Sequence, residues 1–390
     1  MSARCPACGH GETAVFHEQR GVPAHSVLLF DSRDAARSYP RGDLRLAHCG
    51  SCGFIFNDAF DEALNEYSQR CEESQGFSGH FRSWMEGVAK ELVDRYDLRG
   101  RPVLEIGCGK GEFLALVCEF GDNRGVGIDP AYVPGRLDSP ALDRLSFVNE
   151  LYTADHGRLA GDAVICRHTL EHIAPVAEFV RIIRESLAGR SDVLVFFELP
   201  ETLRVLREVA FWDLYYEHCS YFTPGSLARL FRREGFDVER VRLEYDDQYV
   251  LLDARPGDGS GPLIDLEDDL EETAHLVAGF REELARRVSE LRAVVDDRHA
   301  RGERTVIWGG GSKGVAFLTT LGITDEIEFA VDINPYKQGK YMAGTGHEVV
   351  APERLTEQRP DLVLIMNPIY EAEIARELAR MGLAPELLAV

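Results

Sequence analysis

The segment VLEIGCGKGE at residues 103–112 constrains the fold of this chain more than any other feature. A short apolar run contains Glu105 and passes into a Gly-x-Gly-x-Gly turn and then a helical pattern. Glycines let a backbone bend sharply and approach a bound nucleoside closely. Asp129 ends a second apolar run eighteen residues after Gly111. The pattern predicts a nucleoside-binding crevice at the carboxyl ends of parallel strands. The alternative is a glycine-rich turn without a ligand.

The pattern of this turn resembles motif I of the Rossmann-like S-adenosylmethionine (SAM) methyltransferases. In that family an acidic residue follows the second strand, and here that residue is Asp129. The resemblance implies that Glu105 or Asp129 hydrogen-bonds the ribose of SAM. The glycines would admit the amino-acid portion of the cofactor, with a small cysteine between them. The implied cofactor residues in these two segments are Glu105, Gly107, Cys108, Gly109, Gly111 and Asp129.

Length, composition and charge exclude several classes of protein. A chain of 390 residues has room for two or three domains with cores of their own. No apolar run approaches the roughly 18 to 20 residues of a membrane span, and the first residues lack an apolar signal core, so we expect a cytoplasmic protein without a membrane partner. The formal net charge of −23 disfavours nucleic acid as a partner.

Four of the nine cysteines form two Cys-x-x-Cys pairs, Cys5 with Cys8 and Cys49 with Cys52. In a reducing compartment this spacing favours zinc over disulfides. Four thiolates close a tetrahedral shell, so the ion would hold the fold together and take no part in chemistry. A metal-free site or a redox pair is the alternative. The other five cysteines are expected in the core.

Residues 60–96 are predicted to be largely helical, with a polar connection at Tyr67 and Ser68 that either closes over a site or lies on the surface. From 102 to about 253 strands and helices alternate. This pattern predicts α/β architecture, and seven strands with a late hairpin match a class I methyltransferase sheet. The predicted strands are 102–106, 124–128, 145–149, 162–167, 192–199, 237–244 and 248–253, and the two clearest helices are 111–121 and 174–188.

A Gly- and Pro-rich linker at 255–262 precedes an amphipathic helix predicted at 264–299. Its apolar stripe is expected to pack across the domains, although a dimeric coiled coil is an alternative. The stripe comprises Leu266, Leu270, Val277, Phe280, Leu284, Val288 and Leu291.

The last ninety residues repeat the strand-and-turn pattern. The segment TVIWGGGSKG at 305–314 is a strand followed by Gly-x-Gly-x-x-Gly, and Asp332 stands eighteen residues after Gly314. We therefore predict a second Rossmann-like unit. Backbone amides and Lys313 in this turn would suit a phosphate or a nucleotide-linked substrate. A vestigial duplicated domain and an NAD site are the alternatives.

The segment FWDLYYEHCSYFT at 211–223 is the strongest candidate for the chemistry. It places two tyrosines, a glutamate and a histidine in four consecutive positions after the fifth strand. Such a cluster can remove a proton from carbon and stabilise the enolate. An aromatic-rich lid with a core histidine is the alternative.

The order of these modules resembles the sugar C-methyltransferases of deoxysugar biosynthesis over nearly the whole chain. The resemblance implies a zinc module at 1–60, a SAM-dependent methyltransferase domain at 61–254 and a C-terminal α/β substrate-binding domain at 264–390. It also implies methylation of a carbon next to the ketone of a nucleotide-linked 4-keto-6-deoxysugar. The implied catalytic residues are Tyr215, Glu217 and His218, the implied substrate-binding residues are Tyr67, Tyr216, Gly311 and Lys313, and the HTLEH stretch places His168 near the cofactor.

The chain departs from the family pattern at two places. It has DDQY at 246–249 where the family has Gly-Gly-Ser, and WGGG at 308–311 where the family has Gly-Tyr-Gly-Ala. Both departures lie where a substrate would be held. The alternatives are therefore O- or N-methylation of another small molecule and, in a different class, an NAD-binding dehydrogenase or regulator. The identity of the sugar, the methylated carbon and the oligomeric state are not predicted.

Overall fold

The computed structural model describes residues 3–390, which form three β-sheets connected by helices. The central sheet has seven strands. The first two in its spatial order form an antiparallel hairpin that pairs with the third, and the remaining strands are parallel. In spatial order the strands are Phe236–Glu244, Tyr249–Pro256, Leu194–Pro200, Ala163–Arg167, Pro102–Ile106, Arg124–Ile128 and Leu145–Val148.

This sheet confirms the class I methyltransferase architecture. Its parallel strands read as continuous apolar runs because helices cover both faces, and most predicted strand ends lie within two residues of the observed ones. Thr223 caps the helix Pro224–Arg233 by accepting the N–H of Ser226. The helices of this region are Gly79–Arg95, Glu112–Gly121, Val176–Ser186, Thr202–Glu208 and Pro224–Arg233.

The N-terminal sheet has four antiparallel strands, one of which comes from the middle of the chain. In spatial order they are Ala14–Pro23, Arg41–His48, Ile55–Asn57 and Ser220–Tyr221. A short helix, Arg33–Arg37, precedes the second of them. The last strand begins two residues after His218, so the N-terminal sheet reaches the candidate catalytic segment.

The C-terminal sheet is the predicted second Rossmann-like unit. Its first five strands pair in parallel, and each of its last two strands pairs antiparallel with the strand before it. In spatial order they are Glu386–Ala389, Leu362–Ile365, Thr305–Trp308, Ile327–Val331, Glu348–Val350, Lys340–Met342 and Leu29–Phe30. The helices of this unit are Ser312–Leu321, Leu355–Gln358 and Glu371–Arg380. Because Leu29–Phe30 belongs to the N-terminal part, strand pairing crosses the boundaries expected at 60 and 264.

The amphipathic helix is Leu270–Ala300, and it begins six residues later than predicted. Residues 265–267 form a separate single turn, so Leu266 and Leu270 are each 37% exposed rather than part of the buried stripe. The later stripe residues are buried, except for Val288, which is partly buried. Phe280 packs edge-on against Phe16 at 5.7 Å between ring centroids. The stripe therefore packs on the N-terminal sheet and on the C-terminal unit, as the packing prediction required.

The prediction of a largely helical stretch at 60–96 is only partly correct. The helix begins at Gly79, where the Ser78 hydroxyl accepts the N–H of Phe81. Residues 65–78 are irregular because this polar stretch lacks an apolar stripe that a helix could bury. We call residues 65–78 the connector. Among residues 3–390 no helix is long and apolar enough to cross a membrane.

Candidate active site

A cavity of about 1090 Å³ lies where the three sheets meet. Its walls are the carboxyl ends of the central strands, the connector, the segment 213–218 and the C-terminal glycine turn. Pockets for one small molecule usually measure about 300–1,000 Å³. The cavity therefore has room for two ligands, as a reaction between a cofactor and an acceptor requires.

The motif I turn borders this cavity through its first two glycines. Gly107 and Gly109 have φ values of 70° and 53°, which non-glycine residues rarely adopt. A Cβ on Gly107 would lie 1.8 Å from Oγ1 of Thr169. The N–H of Gly109 donates to Oδ2 of Asp129 at 2.8 Å. This hydrogen bond fixes the turn against the strand end that carries the acidic residue.

Gly111 serves packing, and it does not line the cavity. It precedes the helix Glu112–Gly121 with a φ of 85°. A Cβ at this position would lie 2.7 Å from the ring of Phe147. The sequence therefore indicated the right residue type, but its reason here is contact between the turn and the edge strand Leu145–Val148. Cys108, by contrast, lines the cavity.

Glu105 is buried beneath the turn and faces the cavity. Its side chain is 2% exposed, and Oε2 has no hydrogen-bond partner within residues 3–390. Burial raises the pKa of Glu105 to about 8, although the guanidinium of Arg167 opposes that rise. Asp129, at the next strand end, accepts the N–H of Ala131 at 2.6 Å through its Oδ1. A cationic or hydroxyl-bearing ligand would satisfy the unpartnered oxygen of Glu105.

Arg167 and His168 end the fourth parallel strand beside the same turn. Arg167 donates to both carboxylate oxygens of Glu198, at 2.6 and 2.9 Å. Nε2 of His168 lies 2.9 Å from the same carboxylate. Burial lowers the pKa of His168, but interactions with Glu171 and Glu198 outweigh it and raise the pKa to about 9. His168 is therefore cationic at neutral pH, and it lines the cavity.

Tyr215 and His218 lie together on the opposite wall. Their ring centroids are 4.2 Å apart, and His172 meets His218 edge-on at 4.6 Å. Burial lowers the pKa of His218 well below its usual value and raises that of Tyr215 well above it. At neutral pH the imidazole is consequently unprotonated and the phenol protonated. One group can take a proton and the other can donate one.

His172 is a site residue that the sequence analysis quoted but did not assign. Its Nδ1 donates to the backbone carbonyl of Glu217 at 3.0 Å, which leaves Nε2 without that proton in the neutral imidazole. The nearby carboxylate oxygen Oε2 of Glu171 is buried without a partner among residues 3–390. The HTLEH stretch therefore supplies three titratable side chains to the cavity.

Glu217 is held from the N-terminal part of the chain. Its Oε1 accepts the backbone N–H of Ser26 at 2.8 Å and also the Ser26 hydroxyl. Burial raises the pKa of Glu217 to about 7, and Oε2 has no partner among the described residues. His25 lies beside it, with Nδ1 3.8 Å from Oε1. Nothing in the sequence links residues 25 and 26 to a segment 190 positions away.

The two tyrosines predicted to bind substrate have different environments. Tyr67, on the connector, lines the cavity between His25 and His172, and its hydroxyl has no partner in the described structure. Tyr216 does not reach the cavity, which corrects its assignment. Its side chain is fully buried, and its hydroxyl accepts the N–H of Asp61 at 2.7 Å. Residues 215–218 form a turn in which His218 donates its N–H to the carbonyl of Tyr215 at 3.2 Å. Within this turn the ring of Tyr216 packs against Phe60, at 5.3 Å between ring centroids.

The C-terminal glycine turn forms the remaining wall. Gly311 lines the cavity, and Lys313 donates to Oδ1 of Asp213 at 2.5 Å across the cavity. Gly310 donates its N–H to Asp332 at 3.1 Å, just as Gly109 does to Asp129. In both Rossmann-like units, therefore, a glycine of the turn donates its N–H to the aspartate that follows the next strand.

Two features of the C-terminal wall, an ion pair and a neutral amide pair, were missed by sequence reasoning. Lys337 lies 3.1 Å from Asp332, near Gly311. Gln248 and Asn367 form a reciprocal amide pair at 2.8 and 3.0 Å between the hairpin and the C-terminal unit. Each cation that lines the cavity has a carboxylate partner, namely Lys110, Arg167, Arg204, Lys313 and Lys337.

The four paired cysteines converge on one point at the edge of the N-terminal sheet. The Sγ atoms of Cys5 and Cys52 are 3.7 Å apart, and those of Cys8 and Cys49 are 3.6 Å apart. Tetrahedral zinc with bonds of about 2.3 Å places its sulfurs about 3.8 Å apart. All four sulfurs lie within 4.8 Å of one another. The thiolate set therefore fits a zinc ion in size and chemistry.

Comparison with known proteins agrees with this architecture. A family model described as a methyltransferase domain matches residues 81–241, and a model described as a C-methyltransferase C-terminal domain matches residues 262–384. The C-methyltransferase NovU of Streptomyces niveus is 26% identical over 393 aligned residues, which cover 95% of this chain and 90% of NovU.

The chain is similar to SAM-dependent C-methyltransferases over both matched regions, and these matches indicate a SAM-dependent methyltransferase. Two solved methyltransferase structures are each 18% identical to it with a TM-score of 0.34. The 1,6-didemethyltoxoflavin-N1-methyltransferase of Burkholderia thailandensis aligns with 47% of this chain and 84% of its own, and the magnesium protoporphyrin IX methyltransferase of Synechocystis with 46% and 84%. The second glycine-rich turn lies within the residues that the C-methyltransferase C-terminal domain model matches.

Proposed function

We propose that this enzyme methylates a carbon next to the ketone of a nucleotide-linked 4-keto-6-deoxysugar. The observation that carries the proposal is the pairing of an unprotonated imidazole, His218, with a protonated phenol, Tyr215, in the cavity that the motif I turn borders. A hydroxyl or amine acceptor needs at most a base. Carbon methylation needs both a base and a donor for the enolate oxygen. The sugar class rests on the resemblance of the whole chain to sugar C-methyltransferases.

SAM supplies a methyl group on a cationic sulfonium, which is electrophilic without a metal. Nε2 or Nδ1 of His218 removes the proton alpha to the ketone, and the hydroxyl of Tyr215 donates to the developing enolate oxygen. SAM would supply its methyl to the resulting carbon nucleophile, with the C–S bond breaking and S-adenosylhomocysteine leaving. Glu217 and Tyr67 orient the sugar, since each has a buried oxygen without a partner among residues 3–390. The enzyme contributes chiefly alignment, which is worth several orders of magnitude in rate.

The cofactor residues in this proposal are those on the first Rossmann-like unit. Asp129 binds the ribose diol, and Glu105 faces the amino-acid portion from below the turn. Gly107, Cys108 and Gly109 admit the cofactor because they add little or no side chain there. The cationic His168 suits the carboxylate of the amino-acid portion. Gly111 acts indirectly by shaping the turn.

The diphosphate of the substrate is assigned to the C-terminal turn. The helix Ser312–Leu321 begins there with no side-chain cap, so its first N–H groups are free to bind an anion. Gly311 permits close approach, and Lys313 and Lys337 flank it. In the absence of substrate these ammonium groups pair with Asp213 and Asp332. A bound diphosphate would replace those carboxylates as their partner.

We also propose one structural zinc ion on Cys5, Cys8, Cys49 and Cys52. Both turns have the same form, since Gly9 and Gly53 have φ values of 75° and each donates its N–H to the first cysteine of its pair at 2.8 Å. Elemental analysis of protein purified without chelator should find one zinc per chain. A Cys49→Ser variant should lose it, and stoichiometric absence from the wild type would contradict the site.

Deuterium exchange tests the proposed chemistry directly. Candidate keto sugars are incubated in deuterium oxide with enzyme and S-adenosylhomocysteine, which lacks the transferable methyl. We expect exchange of the alpha hydrogen in wild type and at least 100-fold slower exchange in His218→Asn, because losing a general base costs about 10²–10⁴. With SAM the new methyl should be on carbon. A product methylated on oxygen or nitrogen would refute the proposal.

A further inference from the structure

We propose that the cysteine knuckle of the N-terminal part positions His218, so that occupancy of the metal site controls the turnover number. We call residues 49–57 the knuckle arm. The inference rests on the proposed function, since it takes His218 as the base. It goes beyond a metal that only holds a fold together, because it assigns a path from the thiolate ligands to the reacting group.

The first link in that path is a run of backbone hydrogen bonds. Cys49 donates its N–H to Phe54 at 2.9 Å, which closes the knuckle turn. The strand Ile55–Asn57 follows at once and pairs antiparallel with Ser220–Tyr221. Asn57 donates its N–H to the carbonyl of Cys219 at 2.9 Å. Asn57, five positions after the proposed metal ligand Cys52, therefore bonds the residue that follows His218.

The second link anchors the knuckle arm on the methyltransferase domain. Nε of Arg229, on the helix Pro224–Arg233, donates to the carbonyl of Cys52 at 3.0 Å. Phe54 packs against Phe222 with ring centroids 4.8 Å apart, and both side chains are fully buried. The metal ligands are thus fixed relative to the end of the catalytic segment on both sides.

The opposite side of the catalytic segment is held by the HTLEH turn. The hydroxyl of Ser220 donates to the carbonyl of Ile173 at 2.7 Å, and the thiol of Cys219 to that of Glu171 at 3.7 Å. The segment 218–221 therefore lies between that turn and the knuckle arm. The strand Ser220–Tyr221 has only two residues and pairs with no other strand of the N-terminal sheet. Without an ordered knuckle arm, one of the two supports of His218 is lost.

Loss of the metal is expected to lower turnover more than cofactor binding. Among the described residues the motif I turn has no backbone hydrogen bond to the knuckle arm, although both border the same buried apolar cluster. Loss of the metal should therefore affect cofactor binding less than turnover. A displacement of about 1 Å at a reacting group can cost about 100-fold in rate. We therefore expect removal of zinc to lower kcat at least 20-fold and to change the Kd of S-adenosylhomocysteine by less than twofold.

Hydrogen–deuterium exchange measured by mass spectrometry tests the path without using turnover. Wild type, zinc-depleted protein and a Cys52→Ser variant are compared for peptides that cover 215–223 and 102–106. We expect amides in 215–223 to exchange at least tenfold faster without zinc while 102–106 stays protected. Cadmium or cobalt added to the depleted protein should restore both protection and kcat.

A matched pair of variants tests the anchor while leaving the thiolates in place. Arg229→Met removes the donor to Cys52, whereas Arg232→Met lies on the same helix and pairs with Glu267 without touching the knuckle. Only Arg229→Met should speed exchange in 215–223 and lower kcat, with zinc retained in both.

Three results would overturn the inference. The first is unchanged exchange in 215–223 after zinc removal, and the second is full kcat in zinc-free protein. The third is a loss of protection in 102–106 as large as that in 215–223, together with loss of cofactor binding. Full turnover by His218→Asn would instead refute the proposed function, and the exchange measurement would still decide whether the knuckle arm orders the segment.

Discussion

Replacing Glu198 with glutamine should destabilise this enzyme more than any other isosteric change on the side of the cavity next to the motif I turn. Glu198 is 1% exposed and accepts two hydrogen bonds from Arg167, which is itself buried against the ring of Phe113 at 4.0 Å. His168 lies 2.9 Å from the same carboxylate. Glutamine keeps the shape and removes the charge, so the buried Arg167 and the partly exposed His168 would share one uncharged partner.

The magnitude follows from two independent arguments. Removing one partner of a buried ion pair typically costs about 3–5 kcal/mol. Burial raises the pKa of Glu198, but Arg167 and His168 outweigh it and lower the pKa from 4.5 to about 2. A change of that size corresponds to about 3 kcal/mol. Because the folded pKa is the lower one, this stabilisation is present above about pH 5 and is lost as the pH falls toward 2.

Urea unfolding at pH 7.5 and at pH 4 measures the effect. Glu290→Gln is the control, because the Arg286–Glu290 pair is 60% and 49% exposed and should contribute at most about 0.5 kcal/mol. We expect Glu198→Gln to lose about 3 kcal/mol at pH 7.5 and less at pH 4, and the pKa of His168 to fall. A loss below 1 kcal/mol at pH 7.5, or a loss that grows on acidification, would refute this account.

Three further predictions concern ligands. Asp129→Ala should weaken SAM binding about 10- to 100-fold by calorimetry, since a charge-assisted hydrogen bond contributes about 1.5–3 kcal/mol, and unchanged affinity would contradict the ribose assignment. Lys313→Ala should raise the KM for the sugar nucleotide about tenfold and leave SAM affinity within twofold, whereas the opposite split would move Lys313 to the cofactor. Tyr216→Phe should lower the free energy of unfolding by about 1 kcal/mol without changing either KM, because its hydroxyl bonds only the backbone of Asp61.

Local patterns predicted the parts of this site that local geometry decides. Gly107 and Gly109 have a left-handed backbone conformation, which only glycine adopts without cost. The turn could therefore be recognised from the sequence. Asp129 could be found because the carboxyl ends of adjacent parallel strands meet at one edge. The cysteine pairs could be recognised from the sequence because each turn is short and both pairs have the same spacing.

The contacts that long-range packing decides could not be predicted. Ser26 holds Glu217 from a part of the chain 191 positions away, and no periodicity records that distance. Lys313 was predicted from its glycine turn, but its partner Asp213 depends on how the two Rossmann-like units face each other. The assignment of Tyr216 depended on the turn at 215–218, in which Tyr215, Glu217 and His218 line the cavity and Tyr216 does not. Sequence alone did not show which residues of that turn face the cavity.

The exchange of short strands between the three sheets explains why the cavity has defined walls. Leu29–Phe30 completes the C-terminal sheet, and Ser220–Tyr221 completes the N-terminal one. Ser26 lies just before the first of these strands and bonds Glu217, which lies just before the second. Ser26 lies three positions before Leu29, so a short stretch of chain connects the C-terminal sheet to a carboxylate at the candidate catalytic site. A cut at 264 would remove the strands that hold Leu29–Phe30 and one wall of the cavity, and we therefore expect the C-terminal unit to be required for activity.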